Sequence, residues 1–231
     1  MGCGKSNAQQ PTPPTKVSAG SKPTFQNVVY HYFPVYARGE VVRLSLHYLG
    51  VAYTEDFVTF QTWPDFKPKT EFGQIPVLDI NNLKLAQTKS IMRYLFQSFK
   101  HYPADNFQAY NVESLVDLII DMRNPLYEAH VKKAPEQVEA LYSTKYPEQL
   151  KMLAKRYSTY GSKKFMVGQS VTAADLYAFE YIYDCFMTPL TKQYENLLDQ
   201  HCPAVKVWAK EFLESSQALK TYLASRPERP F

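Results

Sequence analysis

The pattern of apolar residues changes near residue 107, and this change constrains the fold more than any other feature of the sequence. Before it, β-prone runs alternate with helical periodicity in the segments Val28–Phe33, Gly39–Leu49, Ala52–Val58, Leu83–Ala86 and Thr88–Phe99. After it, apolar residues recur only at helical intervals, and no convincing strand follows. The sequence therefore predicts a small α/β unit with a mixed sheet, followed by an all-helical unit.

These patterns divide the 231 residues into three parts. Residues 1–27 are rich in Pro, Ser, Thr and Gln and have little to bury, which is typical of a disordered spacer. We expect an α/β domain at 28–101 and an all-helical domain at 108–231, with the stretch HYPADNF as the linker.

Several helix boundaries can be predicted from single residues. Gly50 is a candidate C-cap, and Thr172 and Asp175 have the spacing of an N-terminal capping box. Pro125 interrupts a long helical pattern and predicts a kink or a break there. Further helices are predicted at Glu136–Tyr142, Pro147–Gly161, Thr172–Met187 and Ala204–Glu214.

Composition excludes several classes of protein. A formal net charge of +4 is far from the basic balance of a nucleic-acid-binding protein. The three cysteines, Cys3, Cys185 and Cys202, are scattered, which argues against a disulfide scaffold and for a reducing compartment such as the cytoplasm. No run is apolar enough to span a membrane, and no histidine pair has metal-ligand spacing, so we expect no metal.

The first six residues, MGCGKS, are a candidate lipid anchor. A phosphate-loop interpretation of GKS fails because the earlier glycine and the preceding strand are missing. The pattern M-G-x-x-x-S makes Gly2 a candidate for myristoylation, and Cys3 beside it could carry a palmitoyl chain. Two acyl chains anchor a protein stably where one does so only marginally. An unmodified flexible tail is the alternative.

The stretch QIPVLDI raises the question of function, because Pro76 stands where a strand should begin. A cis peptide before Pro76 would let Ile75 present its backbone polar groups to an extended peptide. Gln87 and Thr88 follow at a predicted helix start, where free amides attract a carboxylate. Together these groups suit a small anionic peptide, although an ordinary strand start and helix cap would give the same sequence.

The motifs YHYFPVYARGEVVR, QIPVLDI, LAQTKSIMRYL and VTAADLYAF, in this order, resemble those of the cytosolic glutathione transferases over residues 28–231. The resemblance is greatest to their sigma-type, tyrosine-dependent class. It implies a thioredoxin-like N-terminal domain, an all-α C-terminal domain and a homodimer. The implied reaction is attack of the glutathione thiolate on hydrophobic electrophiles, by conjugation, peroxidase or isomerase chemistry. Glutathione is then a co-substrate, and no cofactor is expected.

The resemblance assigns catalysis to Tyr32 and Arg38. A phenol O–H donated to sulfur stabilises the thiolate, and a fixed positive charge favours it further. Arg38 could instead be an exposed residue that pairs with Glu40. Phe33 and Tyr36 are the candidates for the electrophile pocket.

The remaining glutathione contacts follow from the same resemblance. They are Trp63, Lys67, Gly73, Gln74, Ile75, Pro76, Gln87, Thr88 and Asp121. Trp63 and Lys67 would reach the glycine carboxylate, and Asp121 would enter the partner subunit's site to meet the α-ammonium group. The stripe of Glu113, Asp117 and Asp121 could equally be a solvated helix face or a weak cation site.

The sequence departs from the family pattern at four positions. Thr88 replaces a serine, Gln74 a basic residue, Ala37 a glycine and Tyr36 a residue that is often charged. A catalytically weak relative that serves a structural role, like the lens crystallins, or that binds hydrophobic ligands, is therefore the alternative to an enzyme.

Overall fold

The computed structural model describes residues 23–229, in which four strands form one mixed sheet. The strands are β1 (Val29–Tyr32), β2 (Thr54–Phe57), β3 (Val77–Ile80) and β4 (Leu83–Ala86). Their order in the sheet is β2-β1-β3-β4. β1 runs parallel to β2 and antiparallel to β3, and β3 pairs antiparallel with β4. The predicted mixed sheet is confirmed.

Three helices accompany the sheet, α1 (Glu40–Leu49), the short α2 (Trp63–Phe66) and α3 (Thr88–Ser98). α1 ends at Gly50, whose left-handed backbone (φ +71°) confirms the predicted C-cap. At the turn between β3 and β4, Asn81 and Asn82 also have positive φ values, 51° and 66°. A short loop and one 3₁₀ turn connect β1 to α1, so the end of β1 and the start of α1 lie close together.

Between residues 106 and 229 the regular elements are all helices, as predicted. They include α4 (Asn106–Val131), α5 (Pro135–Ala140), α6 (Tyr146–Tyr160), α7 (Ala173–Phe186), α8 (Asn196–His201), α9 (Pro203–Ser215) and α10 (Gln217–Ser225). The sequence patterns did not predict α8 and α10, which are short. Together the two halves confirm the expected architecture, a thioredoxin-like α/β domain followed by an all-α domain.

Pro125 lies inside α4 and does not break it, so the break considered from the sequence is wrong. A proline removes one backbone hydrogen bond. One side of α4 packs in the core, where Leu115, Ile119, Met122 and Leu126 are all buried. Burial of these side chains outweighs the lost bond.

α7 is the central helix of the second half, and its start is fixed by the predicted capping box. The Asp175 carboxylate accepts hydrogen bonds from the Thr172 amide at 2.7 Å and the Thr172 hydroxyl at 3.1 Å. Its other oxygen accepts from the Met166 amide at 2.7 Å, a contact that the capping box alone does not predict. Asp175 therefore joins the preceding loop to the helix.

A buried ionic network joins the C-terminal segment to both domains. Arg226 follows α10 and donates to Glu40 of α1 at 2.8 Å and to Asp184 of α7 at 2.6 Å. Tyr222 donates to the same Glu40 oxygen at 2.8 Å, and Arg43 donates to its other oxygen at 3.1 Å. The side chains of Glu40, Asp184 and Arg43 are completely buried.

Within residues 23–229, no helix combines the length and the apolar character needed to cross a membrane. Gly2 and Cys3, the lipidation candidates, lie outside the described residues.

Removing the Asp175 carboxylate should destabilise the protein more than removing an ordinary cap. Asp175→Ala leaves two buried amides without an acceptor, and we expect a loss of about 2–4 kcal/mol in the free energy of unfolding. The exposed N-cap of α4, Asp105, accepts one bond from Gln108, so Asp105→Ala should cost about 1 kcal/mol. Urea unfolding of both variants checks this, and equal losses would contradict it.

Removing Arg226 from the ionic network should also lower the free energy of unfolding by a large amount. Arg226→Met leaves the buried carboxylates of Glu40 and Asp184 short of a partner, and we expect a cost of about 3–5 kcal/mol. Lys220→Met is the control, because its ion pair with Glu214 is largely exposed and should be worth less than about 1 kcal/mol. Thermal unfolding that shifts equally in the two variants would show that the network does not hold the domains.

Candidate functional site

Two neighbouring cavities lie beside the loop that connects β1 to α1. Cavity A has a volume of about 260 Å³ and is lined by residues from five chain segments, namely Phe33, Arg38, Trp63, Gly73, Gln74, Ile75, Pro76, Gln87, Thr88 and Tyr127. Cavity B has a volume of about 210 Å³ and shares Arg38, Gln87, Thr88 and Tyr127 with cavity A. Since four residues belong to both walls, a ligand in one cavity can touch a ligand in the other.

The opening of β3 and the start of α3 form one wall of cavity A. The Ile75–Pro76 peptide is cis, as the sequence predicted. Gln74 accepts a hydrogen bond of 2.9 Å from the Gln87 side-chain amide, which joins the two segments. Gln87 has φ +70° and ψ 111°, a conformation that is uncommon outside glycine and that clusters at ligand sites. Beyond it, Thr88 is the first residue of α3.

Aromatic residues form another part of the wall of cavity A, and Lys67 lies just outside it. Trp63 lines cavity A and packs edge-on against Phe33, with ring centroids 5.8 Å apart. Lys67 does not line the cavity but lies over Gly73, where an added Cβ would come within 3.3 Å of the Lys67 Cε. Gly73 also has φ +62°. Both its backbone conformation and the proximity of Lys67 therefore favour glycine at this position. Phe33, predicted for the electrophile pocket, lines cavity A instead.

Tyr32 ends β1 and is only 3% exposed. Its ring stacks on Tyr30 at 6.1 Å and covers Gly39, where any side chain would overlap it. Burial raises the pKa of Tyr32 to about 12, so its hydroxyl is protonated at neutral pH and can donate. Tyr32 itself is not a lining residue, yet it interacts electrostatically with Tyr127 and Arg38, which line both cavities.

Arg38 lies where the two cavities meet. Its guanidinium donates to the Asn124 side chain at 3.0 Å and lies 5.0 Å from the centre of the Tyr127 ring. The alternative pairing with Glu40 is wrong, because Glu40 is completely buried in the ionic network. The preceding residue, Ala37, has φ +31°, a backbone conformation that favours glycine, which is the residue that the family resemblance leads us to expect there.

The loop between Tyr32 and Arg38 is held from inside by Arg43. This arginine donates to the carbonyl oxygens of Val35 at 2.7 Å and Phe33 at 3.1 Å. It also pairs with Glu55 at 2.5 Å, and its guanidinium lies 5.5 Å from the Tyr32 ring. The sequence analysis missed Arg43, although the presence of Glu40 and Arg43 on a mostly apolar helix could have indicated a buried ion pair.

Tyr36 is not where the sequence placed it. It is 5% exposed, and its hydroxyl donates to the Pro227 carbonyl at 2.8 Å. The Arg226 guanidinium lies 4.2 Å above its ring. The C-terminal segment therefore covers Tyr36, which lines neither cavity A nor cavity B, and the prediction of a place in the electrophile pocket needs correction.

Asp121 is exposed on α4 and lines neither cavity of its own chain. The other two acidic residues of its stripe are paired with α3. Lys89 contacts Asp117 at 2.5 Å, and Arg93 contacts Glu113 at 2.6 Å. These pairs show that the stripe is partly an inter-helix contact and not a bare acidic face.

Sequence reasoning missed most of the wall of cavity B. This wall includes Arg123, Asn124 and Tyr127 on α4, and Tyr177 and Glu180 on α7. Glu180 is buried and forms an ion pair with Arg123. An acidic residue inside the apolar run of α7 was the one available signal, because a buried carboxylate needs a partner.

Comparisons with known proteins agree with this geometry. Residues 28–97 match the family described as "Glutathione S-transferase, N-terminal domain", and residues 117–226 match "Glutathione S-transferase, C-terminal domain". The chain is similar to Glutathione S-transferase 2 of Manduca sexta, with 30% identity over 208 residues that cover 88% of this chain and 98% of that protein.

The chain is also similar to a relative that is named for a different enzyme activity and to a solved structure. Hematopoietic prostaglandin D synthase of Mus musculus is 27% identical over 198 residues, which cover 85% of this chain and 95% of that protein. The sigma-class glutathione transferase of Fasciola hepatica is 22% identical, with a TM-score of 0.76 over 89% of this chain and 99% of that structure, and therefore shows a shared fold alone. On these matches and on its fold, the chain belongs to the glutathione S-transferase family and is a transferase enzyme.

Proposed function

We propose that glutathione binds in cavity A and is activated as a thiolate where cavities A and B meet. The observation that carries this proposal is the assembly of cavity A. Seven of the predicted glutathione contacts, from three separate segments, line it together, namely Trp63, Gly73, Gln74, Ile75, Pro76, Gln87 and Thr88. Arg38 completes its boundary with cavity B.

The proposed orientation follows the charges of the tripeptide. The γ-glutamyl carboxylate lies at Gln87 and Thr88, where the start of α3 offers free amides and the positive end of the helix dipole. The peptide backbone runs beside Ile75, and the glycine carboxylate lies towards Trp63 and Lys67. This orientation directs the cysteine thiol towards the end of β1.

Activation of the thiol is assigned to Tyr32 and Arg38. A free thiol has a pKa of about 8.5, so thiolate is scarce at neutral pH. The protonated Tyr32 hydroxyl donates to the sulfur, and the Arg38 charge stabilises the anion further. The thiolate then attacks an electrophile held in cavity B, whose walls include Val41, Ile119 and Ile120. No cofactor other than the co-substrate glutathione is needed.

The proposed class is the sigma-like, tyrosine-dependent one, supported by the position of Tyr32 at the end of β1. We also propose a homodimer in which Asp121 of one subunit reaches the glutathione of the other. The exposure of Asp121 on α4, away from its own site, supports this arrangement. A purely structural or ligand-binding role is less well supported, because Arg38 and seven of the expected glutathione contacts line cavity A together.

We further propose that the protein is cytoplasmic and is tethered to a membrane through acyl chains on Gly2 and Cys3. The support is the sequence pattern M-G-C-G-K-S and the spacer that follows it.

Replacing Tyr32 should slow turnover and shift its pH dependence. Tyr32→Phe removes the donor to sulfur, so we expect kcat/KM to fall about 100-fold and the pH–rate profile to move roughly one to two units higher. Tyr48→Phe is the control, because Tyr48 lies near the end of α1, stacked on Phe212, and its replacement should change neither quantity. A Tyr32→Phe enzyme as fast as its parent would show that another group activates the thiol.

The tether has a direct test. Cells expressing the chain with a myristate analogue should label the parent protein but not the Gly2→Ala variant, and Cys3→Ser should weaken membrane retention while leaving the label. Cell fractionation reports the retention. If the parent protein is not labelled, the proposed tether is wrong and the N-terminal tail is unmodified.

A further inference from the structure

A row of polar and charged side chains crosses the sheet on the face opposite to the Tyr32 side chain. His31 on β1 is 8% exposed and lies between two carboxylates. Its Nδ1 is 2.7 Å from Asp56 on β2, and its Nε2 is 3.2 Å from Asp79 on β3. Asp79 also accepts a hydrogen bond of 2.8 Å from Lys84 on β4. The row therefore joins all four strands through their side chains.

The short helix α2 contacts this row and contributes no buried residue of its own. The Phe66 ring packs on the His31 ring, with centroids 5.0 Å apart and planes inclined by 33°. At the start of α2, Trp63 packs edge-on against Phe33, the residue that follows β1. These two ring contacts join α2 to β1 and the loop after it.

The position of α2 matters because the helix carries two of the proposed glutathione contacts. Trp63 is its first residue and lines cavity A, and Lys67 directly follows its last residue. Both side chains are assigned to the glycine carboxylate. A helix of one turn has little stability of its own, so its location depends on its contacts with the rest of the domain.

The contact of His31 with Phe66 lies outside the ligand site. Neither residue lines cavity A, whereas Trp63 and Phe33 both do. The two carboxylates fix the orientation of the His31 ring, because any rotation of the ring lengthens at least one of its hydrogen bonds. His31 is therefore a rigid support for α2 that does not itself take part in binding.

We propose that His31 is a positioning residue for glutathione, which holds α2 where Trp63 and Lys67 can reach the glycine carboxylate. The inference rests on the proposed function, with glutathione in cavity A. His31 acts through Phe66 and does not touch the ligand. Its loss weakens the contacts at the glycine end and leaves the activation of the thiol intact.

The test compares glutathione with γ-glutamylcysteine, which has the same thiol but lacks the glycine. Steady-state kinetics with a chlorodinitrobenzene electrophile gives KM for each thiol and kcat at saturation. In His31→Ala we expect KM for glutathione to rise about 5- to 20-fold, and KM for γ-glutamylcysteine and both kcat values to stay within about twofold. The kcat values are retained because a contact made equally in the ground and transition states contributes to KM alone.

Two further variants examine the same pathway. Phe66→Ala removes the other ring of the contact, and because Phe66 is only half-buried, this change spares the core. It should raise the KM ratio, which is KM for glutathione divided by KM for γ-glutamylcysteine, as His31→Ala does. Lys67→Met removes a proposed contact to the glycine carboxylate directly and should raise the same ratio.

His47 provides a matched control. It is a half-buried histidine of the same domain, and its ring stacks on Tyr222 of α10 with centroids 4.1 Å apart. It thus supports an aromatic ring of another helix and not of α2. His47→Ala should leave the KM ratio unchanged.

The outcomes separate this inference from the function on which it rests. An unchanged KM ratio in His31→Ala, while Lys67→Met raises it, overturns the role of His31 and leaves the proposed function standing. An equal rise in His47→Ala also overturns that role. If His31→Ala does not fold, Phe66→Ala decides in its place. If Lys67→Met leaves the ratio unchanged, or the parent protein does not use glutathione, the proposed binding of glutathione and this inference both fail.

Discussion

The buried contacts of Arg43 are the constraint on which the candidate site depends. This arginine holds the carbonyl groups of Phe33 and Val35 and so fixes the loop between Tyr32 and Arg38. Its partner Glu40 is held in turn by Arg226 from the C-terminal segment. Residues 186 positions apart thus share one buried network, and the position of the loop is set by the folding of both domains.

The features that the sequence predicted correctly depend on local backbone rules. Gly50 ends α1 and Asp175 caps α7, and each follows from the residue itself or its immediate neighbours. The cis peptide before Pro76 was predicted with the family resemblance as guide, because most peptides before proline are trans. The same is true of the mixed sheet, which periodicity and turn residues indicated. For the candidate site, the segments around Pro76 and Gln87 were predicted correctly as neighbours, with the resemblance as guide.

The features that the sequence missed depend on contacts between distant segments. Tyr36 is covered by the chain around Pro227, and no local pattern tells which segment will lie over a given tyrosine. Part of the wall of cavity B forms where α4 and α7 pack together, so Tyr177 and Glu180 can be recognised as cavity residues only in the folded protein. Such contacts require knowledge of how the helices dock, which periodicity does not provide.

The central claim is that this fold holds glutathione with its thiol ionised. Ultraviolet absorbance of the thiolate in the complex of protein and glutathione, followed as a function of pH, measures this directly and needs no electrophile. We expect the midpoint of ionisation to lie at least about one unit below the value of roughly 8.5 for a free thiol. A midpoint equal to that of free glutathione, under conditions where the tripeptide is bound, would contradict the account.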